Sequence, residues 1–199
     1  MWKKMNLPNK ISIIRILLVP FFIVAMSLVN VWEYMNFVAL GIYVLASISD
    51  YIDGYLARKS GVVTNFGKLI DPLADKILVA AGFIMLTGMG VIPAWITCIM
   101  IVRDLFMNTI RMFAVESGVT IAAGVTGKIK TAFQMIGVVL AMVDMKGLFY
   151  FIDNGRQMGL FDLSVNVLMT ISIIIATIFT VWSCVEYCIK NAKYINVDK

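Results

Sequence analysis

The chain has 199 residues, of which 61% are hydrophobic and 15% are charged. A soluble domain is about 45–50% apolar, so this composition predicts a membrane protein, and the low charge content excludes a disordered tail. The formal net charge of +5 is more typical of positively charged cytoplasmic loops than of nucleic-acid binding. Histidine is absent, which excludes histidine general bases, HExxH zinc sites and Ser-His-Asp triads.

The apolar segments predict an all-α, polytopic membrane protein with six transmembrane helices, since about 20 largely apolar residues cross a bilayer as a helix. The third and fourth helices share one charge-free segment, Ile77 to Val102, which Gly88, Gly90 and Pro93 divide. The fourth helix continues to about Val115. The others are expected at Ile16 to Trp32, Tyr34 to Ser49, about Lys128 to Val143, and Leu163 to Val185.

The distribution of lysine and arginine predicts the orientation of these helices. Fourteen of the 17 fall on one side of the arrangement, in residues 1–15 and 58–76, around the fourth connection and in the C-terminal tail. Lys146 and Arg156 fall on the other side, and Arg103 lies within the predicted fourth helix. Both termini are therefore expected in the cytoplasm. Asp144 to Asp162 is expected to be an exterior loop with a short interfacial helix, and residues 1–199 form a single membrane domain.

Four aspartates interrupt the apolar pattern at the cytoplasmic ends of two consecutive helices. Asp50 and Asp53 are three residues apart and Asp71 and Asp75 four apart, so each pair lies on one helix face. Adjacent antiparallel helices can bring the two pairs to one depth, where four carboxylates repel each other unless a cation neutralises them. A single aspartate here can be a membrane-edge charge, but two such pairs indicate a site for Mg²⁺ or Mn²⁺, with room for two ions.

The residues between the pairs add a binding surface for phosphate. Gly54 and Ala57 continue the face of the first pair with small side chains, and Gly67 precedes Asp71 by one helical turn. Arg58 is suited to a bidentate phosphate contact. Metal ligands, small residues and an arginine together predict a site for a diphosphate, whose charge bound cations would offset.

The segment from Asp50 to Asp75 resembles the signature of the CDP-alcohol phosphotransferase family, D-x2-D-G-x2-A-R-x8-G-x3-D-x3-D, at all eight fixed positions. The resemblance implies a six-helix membrane fold, usually homodimeric, with a two-metal site open to the cytoplasm that displaces CMP from a CDP-linked lipid. It implies that Asp75 is the base for the attacking hydroxyl. It also implies metal ligation by Asp50, Asp53, Asp71 and Asp75, and a wall for the CDP moiety made by Gly54, Ala57, Arg58 and Gly67.

Three further stretches resemble the bacterial members of this family that make phosphatidylglycerophosphate. They are Asn6 to Arg15, Arg103 to Arg111, and Gly127 to Gln134. This resemblance implies CDP-diacylglycerol and glycerol 3-phosphate as substrates, CMP as the second product and a bacterial plasma membrane as the location. It makes Asn9 and Ser12 candidate substrate contacts.

The cations in these stretches suit an acceptor that itself carries a phosphate. Arg103 and Arg111 share a face of the fourth helix, because eight residues make about two turns, and Lys128 and Lys130 begin the fifth. Arg111, Lys128 and Lys130 can also be read as ordinary membrane anchors. Three positions near these cations differ from the pattern of the bacterial phosphatidylglycerophosphate synthases that the stretches resemble. They are Asp104, Asn108 and Thr109.

Other functions stay open at this point. Inositol phosphate or phosphatidylglycerol can serve as the acceptor in the same reaction class. A membrane prenyltransferase also combines aspartate-rich helices, Mg²⁺ and a diphosphate, although without this spacing of small residues and arginine. A divalent-cation transporter would place its acidic residues near the bilayer midplane, whereas these lie at one end.

Overall fold

The computed structural model describes the backbone of residues 7–32, 34–60, 65–116 and 125–195, and the side chains of residues 10–32, 34–49, 74, 76–110 and 126–189. Across these ranges the regular structure is entirely helical, which confirms the all-α prediction. The helices are α1 (Leu7–Ser27), α2 (Met35–Ser60), α3 (Asn65–Gly88), α4 (Ala94–Glu116), α5 (Val125–Asp144), α6 (Tyr150–Asn154) and α7 (Leu160–Ile195).

The break inside the long apolar segment falls where the sequence predicts it. The third helix ends at Gly88 and the fourth begins at Ala94, directly after Pro93. Gly90 has a φ of 75°, a conformation that costs glycine little because it has no Cβ. Helix-breaking residues therefore separate two helices that hydropathy alone would merge.

The helices differ from the apolar windows at their ends. The first helix begins at Leu7 rather than Ile16. Pro8 is compatible with its first turn, and the polar residues before Ile16 are part of the helix. The last runs for 36 residues, from Leu160 to Ile195, beyond the charge-free window on both sides. The length of an apolar window indicates how much of a helix is suited to the lipid. The helix itself can extend beyond that window, because its backbone hydrogen bonds do not depend on apolar side chains.

Three helical segments in the described part of the chain are long and apolar enough to cross a membrane. They are Lys10–Ser27, Thr126–Asp144 and Leu160–Ile189. The apolar parts of α2 and α3, Met35–Ser49 and Lys76–Gly88, are shorter. This composition agrees with a membrane protein.

The chain forms two compact units, of which the first comprises Met1–Met89 and Val138–Met145. Here α1 packs against both α2 and α3, with the ring centroids of Phe22 and Tyr43 5.6 Å apart in the core. The amide of Asn36 donates to the carbonyl of Met142 at 2.6 Å. A Cβ at Gly82 would lie 3.1 Å from the Tyr43 ring, so glycine permits the close approach of α3 to α2.

The second unit comprises Gly90–Gly137 and Lys146–Lys199. In it α4 and α6 pack against α7. The short α6 confirms the helix predicted between the last two long helices. Asn166 of α7 holds this segment, accepting from the Phe151 amide at 3.2 Å and donating to the Gly147 carbonyl at 3.3 Å.

Candidate active site

The four aspartates lie on two neighbouring helices of the first unit. Asp50 and Asp53 belong to the last part of α2, and Asp71 and Asp75 to the first part of α3. Asp50 and Asp75 are each ten residues from the facing ends of these helices, so with a rise of about 1.5 Å per residue the two positions lie at similar depth. The helices contact each other. The backbone thus places two acidic pairs at matched positions of adjacent helices.

The side chains of these aspartates, of Ala57 and of Arg58 lie outside the described residues, and so do the surroundings of Gly54 and Gly67. Their ligation and their contacts with a nucleotide therefore remain predictions. Among the side chains that the structure does describe, no group of three or more acidic or cysteine residues could hold a metal ion.

The first helix contributes two polar residues to the interior of the same unit. Ser12 and Arg15 are completely buried, one helical turn apart on α1, which packs against the aspartate-bearing helices. The distribution of lysine and arginine places Arg15 among the loop cations, whereas its complete burial makes it an interior residue. The side chain of Asn9 lies outside the described residues.

A cluster of charges joins three helices of the second unit. The Asp104 carboxylate on α4 accepts from the Arg103 guanidinium at 3.0 Å and also from the Lys130 ammonium of α5. The second guanidinium nitrogen of Arg103 donates to the Ser183 hydroxyl of α7 at 2.7 Å. We call Arg103, Asp104, Lys130 and Ser183 the cation cluster.

The cation cluster is enclosed, because only 2% of the Lys130 side chain, 14% of Arg103 and 19% of Asp104 are exposed. Ionisable groups within apolar segments are costly and usually functional. Arginine and lysine are the side chains that bind phosphate in other proteins, so the two cations make this cluster a candidate anion site.

Polar contacts between the same three helices flank the cluster on both sides along the helix axes. Gln134 of α5 donates to the Met100 sulfur of α4 at 3.0 Å, and the Thr180 hydroxyl of α7, which donates to the Ala176 carbonyl at 2.6 Å, lies 3.0 Å from the same sulfur. Thr126 of α5 donates to the Glu186 carboxylate of α7 at 3.2 Å. These contacts fix the sides of the helices that face each other.

Not every predicted acceptor residue belongs to the cluster. Lys128 is exposed, two residues before the buried Lys130, and the side chain of Arg111 lies outside the described residues. Thr109 is exposed and donates to the Leu105 carbonyl of its own helix at 3.1 Å. Of the departures from the synthase pattern, Asp104 alone is in the cluster.

Sequence reasoning does not identify two buried polar side chains, Ser183 in the second unit and Arg15 in the first. Ser183 lies 80 residues from Arg103, and no spacing rule connects the two positions. Arg15 carried a weak signal, because it follows the candidate contact Ser12 by three residues and therefore shares its helix face.

Comparison with known proteins gives a consistent result. A family model described as CDP-alcohol phosphatidyltransferase matches residues 5–182. The chain is similar to the CDP-diacylglycerol--glycerol-3-phosphate 3-phosphatidyltransferase of Bacillus subtilis, with 39% identity over 67% of this chain and 74% of that protein. It is similar to the Haemophilus influenzae protein of the same name, with 33% identity over 92% of each. A Mycoplasma genitalium protein of that name is 37% identical over 75% of this chain and 61% of its own length.

Proposed function

Because the chain belongs to the CDP-alcohol phosphatidyltransferase family, we propose that it transfers the phosphatidyl group of CDP-diacylglycerol to sn-glycerol 3-phosphate. The products are phosphatidylglycerophosphate and CMP. The observation that carries this proposal is the complete eight-position signature on the neighbouring helices α2 and α3. Membership in this family also decides against the prenyltransferase and transporter hypotheses.

The four aspartates would hold the divalent cations, Mg²⁺ or Mn²⁺, with two ions in each site. The donor set fits such ions, because carboxylate oxygens are the ligands that hard cations prefer and the acidic pairs lie at matched positions of adjacent helices. Bound cations would offset the charge of the diphosphate and of the departing CMP. Asp50, Asp53, Asp71 and Asp75 are the proposed ligands.

The chain's own residues supply the remaining chemistry. Asp75 accepts the proton of the glycerol 1-hydroxyl, whose oxygen bonds to the phosphorus that carries diacylglycerol while the bond from that phosphorus to the CMP oxygen breaks. Arg58 pairs with a phosphate of the nucleotide. Gly54, Ala57 and Gly67 leave room for the CDP moiety.

Arg103 and Lys130 are the proposed ligands of the acceptor's phosphate. Burial of Arg103 and Lys130 beside Asp104 supports this role, because ionisable groups within apolar segments are usually functional and both cations suit a phosphate. Serine or choline as the acceptor would not need these cations. The proposal extends to Arg111 and Lys128 as further phosphate contacts and to Asn9 and Ser12 as substrate contacts.

The orientation in the membrane is part of the same proposal. Six membrane-spanning helices form a single domain in a bacterial plasma membrane, with both termini and the active site on the cytoplasmic side. The excess of lysine and arginine on that side supports this topology. The protein acts as a homodimer, as the family resemblance implies.

The test is CMP release by detergent-purified protein supplied with CDP-diacylglycerol and Mg²⁺. We expect release that requires sn-glycerol 3-phosphate and stops when EDTA removes the metal. Release only with inositol phosphate or phosphatidylglycerol would keep the reaction class and overturn the acceptor. No release with any acceptor would overturn the proposed function.

A further inference from the structure

Ser183 of α7 has a hydroxyl whose hydrogen-bonding directions are fixed. The side chain is buried, with 4% exposed, and its oxygen donates to the Thr180 carbonyl at 3.2 Å. A guanidinium has donors and no acceptor, so toward Arg103 the hydroxyl can only accept. The bond from the Arg103 Nη2 at 2.7 Å uses that acceptor.

The guanidinium of Arg103 is held at two points and keeps spare donors. Its Nη1 donates to Asp104 at 3.0 Å and its Nη2 to Ser183, whereas a guanidinium offers five N–H donors. The Nε atom is buried and has no hydrogen-bond partner in the described part of the chain. Since an unpaired buried donor costs free energy, a bound anion that accepts from Arg103 would remove that cost.

The two holding contacts are not equivalent. Asp104 is the next residue on the same helix, so this contact moves with α4. Ser183 belongs to a helix that contacts α4 and fixes the guanidinium relative to that second helix. A guanidinium restrained before binding loses less conformational entropy when the ligand arrives.

From this geometry we infer that Ser183 is a positioning residue that sets the affinity for the phosphorylated acceptor by orienting Arg103 from α7. The inference rests on the proposed function in its choice of ligand, a phosphate monoester. Ser183 does not touch the acceptor. It acts through the guanidinium alone.

Three substitutions at one position test the hydroxyl. Ser183→Ala removes the acceptor, Ser183→Cys keeps a side chain of similar size that accepts weakly, and Ser183→Thr restores the hydroxyl. We expect the alanine and cysteine variants to raise the KM for sn-glycerol 3-phosphate by up to about 10-fold, the entropic effect of having to immobilise one free side chain on binding. The kcat should stay within about twofold of the unmodified protein, and the threonine variant should recover the original KM.

A second measurement is independent of turnover. Binding of sn-glycerol 3-phosphate and of inorganic phosphate to the detergent-purified protein, followed by calorimetry, should weaken by up to about 10-fold in Ser183→Ala. The matched control is Ser172→Ala, which changes another buried serine of the same helix, about 16 Å away along its axis. It should leave the KM, kcat and binding constants unchanged, and Ser183→Ala should leave the KM for CDP-diacylglycerol unchanged.

The outcomes separate this inference from the proposed function. CMP release that depends on glycerol 3-phosphate, with an unchanged acceptor KM in Ser183→Ala, overturns the positioning role and keeps the function. Absent CMP release with phosphate binding that depends on Ser183 overturns the function and keeps the positioning role. A fall in kcat alone, a threonine variant that behaves like alanine, or absent phosphate binding by the unmodified protein overturns the inference.

Discussion

Replacing Asp104 by asparagine removes the one negative charge of the cation cluster while keeping the size of the side chain. The carboxylate pairs with Arg103 at 3.0 Å and with Lys130. Without it, two cations with 14% and 2% of their side chains exposed face each other in a poorly hydrated environment. We therefore expect Asp104→Asn to destabilise the protein strongly.

The size of the effect follows from the burial of these partners. Removing one member of a buried ion pair costs about 3–5 kcal/mol, and in a chain of this length 1 kcal/mol shifts the Tm by about 2–4 °C. The Tm should therefore fall by about 6–20 °C. Lys130→Met should cost less, because Arg103 still pairs with the carboxylate. The double variant should cost less than the sum, since the lysine is then no longer left buried beside an uncharged amide.

The assay is thermal unfolding of the detergent-purified variants at fixed pH and salt. Asp162→Asn is the matched control, because the Lys146–Asp162 pair has a similar 2.9 Å separation but exposed fractions of 29% and 48%. An exposed pair contributes at most about 1 kcal/mol, which limits the shift in Tm to about 4 °C. If Asp104→Asn unfolds at the same temperature as Asp162→Asn, burial of the ion pair does not increase the stability lost when its carboxylate is replaced, and the expected destabilisation is refuted.

Three further predictions concern catalysis, acceptor binding and packing. Asp75→Asn should lower CMP release at least about 100-fold; a variant that keeps more than about a tenth of the turnover would show that Asp75 is not the base. Arg103→Ala should raise the KM for glycerol 3-phosphate in the same assay and leave that for CDP-diacylglycerol unchanged, and an unchanged acceptor KM would remove Arg103 from the pocket. Gly137→Val should lower stability by about 1–3 kcal/mol, because a Cβ there would lie 2.8 Å from the Ile173 Cγ1. Gly41→Ala, with nothing within 4 Å of its Cβ, should not lower the Tm, and equal unfolding of the two would contradict close packing of α5 on α7.

Features that depend on local spacing were accessible from the sequence. The break between α3 and α4 was predicted from Gly88 and Pro93, whose backbone preferences act within a few residues. The aspartate pairs were found in the same way, since helical spacing alone places each pair on one face. The predicted resemblance to the family rests on the same local pattern.

The assignment of buried and exposed faces required the tertiary structure. Phe21 is 66% exposed while its neighbour Phe22 is completely buried, and Lys128 is exposed while Lys130 is buried. Lipid is as apolar as a protein interior, so hydrophobicity does not distinguish the face of a helix that meets lipid from the face that meets another helix.

The sequence by itself therefore determined the helical class, the principal break and the helical spacing of the aspartates. The tertiary structure decided that Arg15 is an interior residue and that Asp104 joins Arg103 to Lys130. It also decided that Ser183, far away in the chain, holds Arg103. The physical reason is that helical periodicity is set by neighbours in the chain, whereas this burial and these contacts exist only once the helices within each unit pack together.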